Sequence, residues 1–274
     1  MQVPISTLHL FEPLEKKLIE LLKSLSSEDW NKPTVAKLWT VKDVAAHLLD
    51  GNMRVLACAQ NYTGDPPVEI NSYQELVSYL NNQNADWVKA MKRVSPEAII
   101  KLLEVTQQDF ISYYHSLDPH APARFSVAWA GEQTSANWFH IAREYTERWH
   151  HQQQIRDAVF KQGIMDREFF FPLIQTFMMA LPYTYKDKKA SEGTIISVCV
   201  TGETGSEWKI KMQEGTWQFS DEDLKPTTTI ELDPETSWKL FTKALDRESV
   251  LKRIKISGDK ELAEPIFSMT AIMG

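Results

Sequence analysis

The chain of 274 residues is 43% hydrophobic and 24% charged, and its formal net charge is −7. This is the composition of an ordinary globular protein, and without a basic block we expect no nucleic-acid partner and no membrane partner. No apolar run approaches the roughly 20 residues that a membrane-spanning helix needs, and the length favours two domains.

Helical periodicity dominates the chain up to Phe160. Apolar residues recur at helical spacing in several segments that are joined by loops. These segments are residues 6–25, a helix that begins at Val41, and residues 73–94, 96–116 and 134–160. We therefore predict four or five antiparallel helices.

The second of these helices has a recognisable start. Thr40 can act as its N-cap, and Asp43, three residues later, can complete a variant of the capping box. His47 lies one turn beyond Val44 and faces nearly the same way, so we expect its imidazole beside the apolar face. Such a histidine can be a core residue with satisfied hydrogen bonds or a metal ligand.

The helix over residues 134–160 carries two kinds of face. Its apolar arc is formed by Trp138, Ile141, Tyr145, Trp149 and Ile155. Polar residues follow the edge of that arc, namely His140, Glu144, Glu147 and His151. Their spacing confines them to a stripe roughly 60° wide. Polar groups at the edge of a core need partners, which can be one another or an ion.

Glu147 and His151 stand at i and i+4, so their side chains can converge on one ion. A divalent ion needs a third ligand from another helix, and His47 is the candidate. Two imidazoles and one carboxylate suit zinc and leave a coordination position open, and the same ligand set describes a non-haem iron site. A dinuclear carboxylate site would need two ExxH patterns, and the chain has one, at residues 147–150.

Beyond Phe160 the periodicity changes from 3.6 to 2. Short β-branched or aromatic segments predict strands, and they are residues 194–200, 207–212, 216–220, 227–232 and 254–256. Gly215 favours a tight hairpin turn. Helices are predicted at residues 169–181 and 234–245 and from Asp259 onward. We therefore expect a separate α+β domain at residues 165–274, with a mostly antiparallel sheet.

The cysteines and the first residues bear on the compartment. Cys58 and Cys199 lie far apart and form no CxxC pattern, which favours a reducing environment. Glu12 and Pro13 interrupt the N-terminal apolar residues, so no signal-peptide pattern is found. These features predict a cytoplasmic protein.

Two motifs resemble those of a known family. Residues 38–48, LWTVKDVAAHL, are similar to the W-(S/T)-V-x-D-x-x-x-H-L signature of mycothiol-dependent maleylpyruvate isomerases, a group within the DinB-like metal-binding bundles. Residues 147–158, ERWHHQQQIRDA, resemble the group's E-x-x-x-H motif on a late helix. The resemblance implies an antiparallel four-helix bundle over residues 1–162.

The same resemblance implies a ligand set for the metal. The family's motif residues correspond to His47, Glu147 and His151. The long helix carries a second i, i+4 pair, His140 and Glu144, which is geometrically equivalent to Glu147 and His151. The family motif favours Glu147 and His151 as ligands. We therefore expect His140 and Glu144 beside the site, acting on it through hydrogen bonds.

The resemblance extends to the second domain, where family members carry a module similar to sterol-carrier proteins. Residues 254–259, IKISGD, resemble the end of that module. The isomerases bind a dicarboxylate substrate with an arginine from this module. Where a Gly-Arg pair is expected, this chain has KALDR at residues 243–247, which makes Arg247 the candidate catalytic arginine.

Two functional hypotheses follow. In the first, the protein is an enzyme in which a divalent metal, zinc by preference, activates a low-molecular-weight thiol of the mycothiol or bacillithiol type for isomerisation or S-transfer on a small-molecule substrate. In the second, it is a non-catalytic, metal-containing protein that binds a small molecule or lipid or is associated with stress. We expect a monomer or a homodimer in either case.

Overall fold

The computed structural model of the protein describes residues 2–62 and 69–272. These residues form two compact units. The first unit comprises residues 2–62, 69–124 and 136–164, and the second comprises residues 125–135 and 165–272. The chain thus enters the second unit briefly before it returns to build the longest helix of the first. The domain boundaries expected from the sequence stay a prediction.

Five α-helices account for most of the described first unit. They are α1 (Phe11–Lys23), α2 (Val41–Ala59), α3 (Tyr73–Met91), α4 (Pro96–Ser116) and α5 (Asn137–Val159). Polar N-caps begin three of them, because the side chains of Thr40, Ser72 and Ser95 accept hydrogen bonds from the first turns of α2, α3 and α4. Phe160, with a left-handed φ of 56°, ends α5.

Helix α2 packs against α3, α4 and α5, and α1 packs against α4 and α5. The core around α2 contains Leu18, Val44, Leu48, Leu103 and Ile155, which are almost wholly buried. Burying one such side chain contributes about 1.5–3 kcal/mol to folding. This packing sets α2 and α5, which carry His47 and Glu147, side by side.

Helix α5 buries polar residues as well as apolar ones. Among its buried side chains are three histidines, two arginines and three consecutive glutamines: His140, His150, His151, Arg148, Arg156, Gln152, Gln153 and Gln154. An ordinary amphipathic helix exposes its polar face to water. Because α5 does not, its polar groups must find partners inside the unit.

The second unit is built on one sheet. Its strands are β1 (Ile195–Val200), β2 (Glu207–Gln213), β3 (Thr216–Phe219), β4 (Thr228–Leu232) and β5 (Lys255–Gly258), in the order β3-β2-β1-β4-β5. The pair β1 and β4 is parallel, and the other pairs are antiparallel. Glu214 and Gly215 both have positive φ, at 52° and 75°, as a type I′ hairpin turn between β2 and β3 requires.

The helices of the second unit are α6 (Arg167–Met178), α7 (Leu181–Thr184), α8 (Pro234–Phe241) and α9 (Arg247–Leu251). The helix predicted to follow Asp259 is a 3-10 helix over Glu261–Ser268 instead. Pro265 lies inside it and has no N–H for an α-helical hydrogen bond, which is the local reason for the difference.

The predicted α+β class, with helices followed by a mostly antiparallel sheet, is confirmed. A count of four helices in the bundle is not confirmed, since the described first unit has five α-helices. Over the residues that the structure describes, no helix combines the length and apolar character needed to cross a membrane.

Candidate metal centre

The position of His47 follows from the start of α2. The backbone N–H of Thr40 donates to Asp43 Oδ2 over 3.0 Å, and the N–H of Asp43 donates to Thr40 Oγ1 over 3.4 Å. This confirms the predicted capping box and sets the first turn at Val41. The indole of Trp87 on α3 then donates to the carbonyl of Ala46 over 2.8 Å, directly before His47. The buried His47 is therefore held on a well-defined helix.

The structure brings His47, Glu147 and His151 together. Each offers one ligand atom, and these atoms lie within 4.8 Å of one another. On α5, His151 Nε2 lies 3.5 Å from Glu147 Oε2, and the His47 and His151 rings meet edge to face with centroids 4.6 Å apart. Zinc binds such atoms at about 2.0–2.2 Å, so side-chain shifts of roughly an ångström would suffice to reach one ion.

The hydrogen bonds of His151 define which ring nitrogen faces the site. Its Nδ1 lies 2.9 Å from the amide oxygen of Gln154, and that oxygen can only accept, so Nδ1 carries the proton. His151 Nε2 therefore faces the Glu147 carboxylate. A buried carboxylate next to an imidazole nitrogen requires a proton or a cation between the two atoms.

His47 supplies the same kind of donor. Its Nδ1 is buried without a hydrogen-bond partner among the described residues. Burial, followed by the nearby His151 and Arg54, holds the pKa of His47 well below its usual range, so the ring is neutral at pH 7. A neutral imidazole has a nitrogen lone pair available to a metal, and the donor set of two imidazoles and one carboxylate fits a divalent metal ion.

Glu147 supplies the negative charge. Burial alone would raise the pKa of its carboxyl, but the hydrogen bond with His151 and the proximity of His150 and Arg143 lower the pKa well below its usual range. Glu147 is therefore ionised at neutral pH, and its charge is only partly exposed to solvent.

Two further aromatic rings enclose the histidines. The half-buried Trp39 lies with its ring centroid 4.8 Å from that of His47 and 6.1 Å from that of His151. The ring centroid of His150 lies 3.9 Å from that of His151, and His150 Nδ1 lies 2.8 Å from the carbonyl oxygen of Thr146. Burial, and then the proximity of His151, lower the pKa of His150 to about 3. These rings limit the access of water to the ligand atoms.

The structure pairs both His140 and Glu144 with Arg143. Arg143 Nη2 lies 3.2 Å from His140 Nδ1 and 3.2 Å from Glu144 Oε2. Tyr114 also shares a hydrogen bond with Glu144. The expectation that His140 and Glu144 act on the site through hydrogen bonds stays a prediction, and Arg143, which lowers the pKa of Glu147, is the link that it would use.

Arg247 lies in the second unit, at the first position of α9. Its guanidinium pairs with Glu264 over 2.8 Å and lies 4.9 Å from the ring centroid of Phe267. The side chain is 52% exposed. Its role in substrate binding stays a prediction.

Gln154 and Arg143 also bear on the site, and neither was predicted from the sequence. Gln154 follows His151 by three residues, a spacing at which helical side chains meet, so this contact was open to prediction. Arg143 lies between His140 and Glu144 in the sequence, and its role depends on which way a long side chain turns. No periodicity signals that choice.

Comparisons with known proteins bear on the family and the fold of the chain. Residues 11–156 match the family model of the mycothiol maleylpyruvate isomerase N-terminal domain. The fold is similar to a crystal structure of the mycothiol-dependent maleylpyruvate isomerase, with a TM-score of 0.55, 11% identity and 91% of each chain covered. A mutant of that isomerase gives a TM-score of 0.56 and 9% identity over 91% of each chain. Sterol Carrier Protein 2 Like 2 from Aedes aegypti covers 35% of this chain and 94% of its own, with 16% identity and a TM-score of 0.28. No curated protein matches the sequence.

Proposed function

Because the matching family model spans more than half of its residues, the chain belongs to the mycothiol maleylpyruvate isomerase N-terminal domain family, and we propose that it is a metal-dependent enzyme. In this proposal His47, Glu147 and His151 hold one divalent ion, zinc by preference. The enzyme uses a low-molecular-weight thiol, of the mycothiol or bacillithiol type, to isomerise a small molecule or to transfer sulfur to it.

One observation carries the proposal. Three side chains from two helices present ligand atoms within 4.8 Å of one another, and two of the three residues, His47 and His151, are separated by about a hundred positions in the sequence. Among the described residues His47 Nδ1 is buried without a hydrogen-bond partner, and His151 Nε2 faces the Glu147 carboxylate. A bound cation satisfies all three groups at once.

The protein's own residues prepare this site for one ion. The amide oxygen of Gln154 accepts a hydrogen bond from Nδ1 of His151. This hydrogen bond leaves Nε2 available to bind the ion and fixes the plane of the ring. Glu147 contributes the single negative charge. When bound to these ligands, a divalent ion keeps about one positive charge and lowers the pKa of a thiol at its open position, so that a thiolate forms near neutral pH.

The reaction that we propose is redox-neutral. The thiolate sulfur adds to an electrophilic carbon of the substrate and forms a C–S bond, while the electron pair of the attacked double bond moves to the adjoining carbonyl group. Rotation about the new single bond and loss of the same thiol give an isomer. Retention of the C–S bond, with protonation of the carbon, gives the S-transfer product.

Metal content tests the first half of the proposal. Purified protein should contain about one equivalent of a divalent ion per chain, measured by elemental analysis, and His47→Ala should lose it while the circular dichroism spectrum stays unchanged. The matched control is His120→Ala, since His120 is an exposed histidine of the same unit. Equal metal content in the wild type and in His47→Ala would refute the site.

Turnover tests the second half. The zinc-loaded protein is incubated with maleylpyruvate and either mycothiol or bacillithiol, and isomerisation is followed by absorbance. We expect turnover only when both metal and thiol are present. Stoichiometric metal without turnover on any thiol would instead favour the non-catalytic hypothesis, in which the protein only binds a small molecule.

A further inference from the structure

A buried arginine joins three helices next to the candidate metal centre. Arg148 on α5 and Glu15 on α1 are each only 2% exposed. Arg148 Nε and Nη2 donate to the two carboxylate oxygens of Glu15, each over 2.6 Å. The remaining terminal nitrogen, Nη1, donates to the carbonyl oxygen of Leu48 on α2 over 2.7 Å. All three nitrogens of the guanidinium therefore have fixed partners.

The ends of this network lie one residue from two of the proposed ligands. Arg148 follows Glu147 directly, and Leu48 follows His47 directly. Adjacent residues on a helix point about 100° apart, so Arg148 turns into the core while Glu147 turns toward the site. A hydrogen bond from one helix to the backbone of the other at this level opposes axial sliding of α5 along α2.

Stability alone does not account for a buried ion pair at this position. Replacing a buried ion pair by apolar side chains of similar volume is often neutral or stabilising, whereas removing one partner leaves an uncompensated buried charge. A planar guanidinium with three fixed partners does, however, specify distance and orientation. Apolar packing against Leu48 would tolerate small shifts that these hydrogen bonds do not.

We propose that Glu15 and Arg148 are positioning residues, which set the axial register of α5 against α2 and thereby hold Glu147 and His151 opposite His47. The inference rests on the proposed function where it concerns metal affinity. It also makes a claim about the metal-free protein, since the register determines how close the His47 and His151 rings lie.

The test uses the full-length double variant Glu15→Met with Arg148→Met, which removes both charges and keeps apolar volume in the core. Two quantities are measured: zinc affinity by chelator competition, and the NOE between the ring protons of His47 and His151 in metal-free protein with labelled histidine. The rings are near enough for this NOE in the wild type, with centroids 4.6 Å apart. We expect a folded protein with zinc affinity lowered 10- to 100-fold, the range seen when groups that orient ligands are removed, and with the NOE weakened or lost.

The matched control is Arg156→Met, which removes another buried arginine of α5. Arg156 donates to the carbonyls of Gln162 and Lys17 over 2.6 and 3.2 Å, and it lies about two turns beyond Arg148. The Arg156→Met substitution should lower the free energy of unfolding but leave the zinc affinity and the NOE unchanged.

The inference is overturned if the double variant keeps the NOE or binds zinc as tightly as the wild type. It is also overturned if Arg156→Met weakens both readouts equally, because the effect would then be general loosening of α5. Failure of the wild type to bind zinc would refute the proposed function instead, and the NOE comparison would still decide whether the network sets the register.

Discussion

The interiors of the two units differ in the polar groups that they bury. The described first unit buries charged, imidazole and amide side chains, among them Glu15, His47 and Arg148. Aromatic rings aside, the polar side chains buried in the described second unit are all hydroxyls: Ser135, Thr176, Ser197, Thr228, Thr236, Ser237 and Thr242. One interior thus contains charged groups and imidazoles, whereas the buried polar side chains of the other, aromatic rings aside, are uncharged hydroxyls.

The buried polar groups of the two units also differ in how far away in the sequence their hydrogen-bond partners lie. The helical hydroxyls of Thr176, Ser237 and Thr242 donate to carbonyls three or four residues earlier in their own helices, over 2.7 to 2.9 Å. Arg148 and Glu15, by contrast, are 133 positions apart. Local hydroxyl contacts accompany a helix wherever it packs, whereas a long-range buried ion pair requires one arrangement of helices. The buried polar groups of the first unit therefore require one specific arrangement of its helices.

The largest change in stability should come from the apolar interior of the second unit. Phe241 is fully buried and contacts Phe177 edge to face, with ring centroids 6.4 Å apart. Phe241→Ala should lower the free energy of unfolding by about 3–5 kcal/mol through lost burial and a cavity, as measured by urea denaturation. Zinc affinity should change less than twofold, and a tenfold loss would show that the two interiors are not independent.

A substitution at the candidate metal centre of the first unit should mainly change zinc affinity. Glu147→Gln removes the only anion of the ligand set and should lower zinc affinity by more than roughly 100-fold, beyond the range for groups that only orient ligands. Chelator competition at pH 7 measures this loss.

Glu144→Gln is the matched control, because it makes the same substitution one turn away on α5. It should lower zinc affinity by about 10- to 100-fold through hydrogen bonding alone. Equal losses in the two variants, at matched folding, would mean that Glu144 and His140 are the ligands.

Acid should destabilise the first unit through its histidines, since all seven histidines of the chain lie there. Burial, and then the charge of Arg143, lower the pKa of His140 from 6.5 to about 3. The unfolded chain therefore takes up this proton first, and the free energy of unfolding should fall as the pH drops from about 6.5 toward about 3. In His140→Gln this loss should be smaller by roughly a few kcal/mol.

Hydrogen exchange of metal-free protein at pH 7, 5 and 4 measures this effect separately in each unit. In the wild type, protection should decline in α5 before it declines in β1 and β4. A decline of the same steepness in His140→Gln would contradict the assignment to His140.

The smallest effect is expected at Arg247. Because its ion pair with Glu264 is more than half exposed, at 52% and 54%, Arg247→Met should change stability by less than about 0.5 kcal/mol. If Arg247 binds a substrate carboxylate, the KM for a dicarboxylate should rise several-fold with kcat unchanged. Arg253→Met, at an exposed neighbouring arginine, is the control, and equal KM values in the two variants would remove Arg247 from the site.

Much of the fold was predictable because its causes are local. The start of α2 at Val41 follows from Thr40 and Asp43, three residues apart, and the β2–β3 turn follows from the conformational freedom of Gly215. The 3-10 helix after Asp259 was missed although Pro265 signals it. Helix spacing and a family motif together indicated the ligand set, but spacing alone left two equivalent pairs on α5.

The sequence by itself therefore determined what backbone hydrogen bonds and side chains within a turn or two can decide: element type, helix starts, and the face shared by Glu147 and His151. Only the tertiary structure decided that His47 meets that face and that Arg148 turns to Glu15. These contacts depend on how whole helices pack, which is a sum over many weak interactions between distant segments. No short stretch of the chain contains that sum.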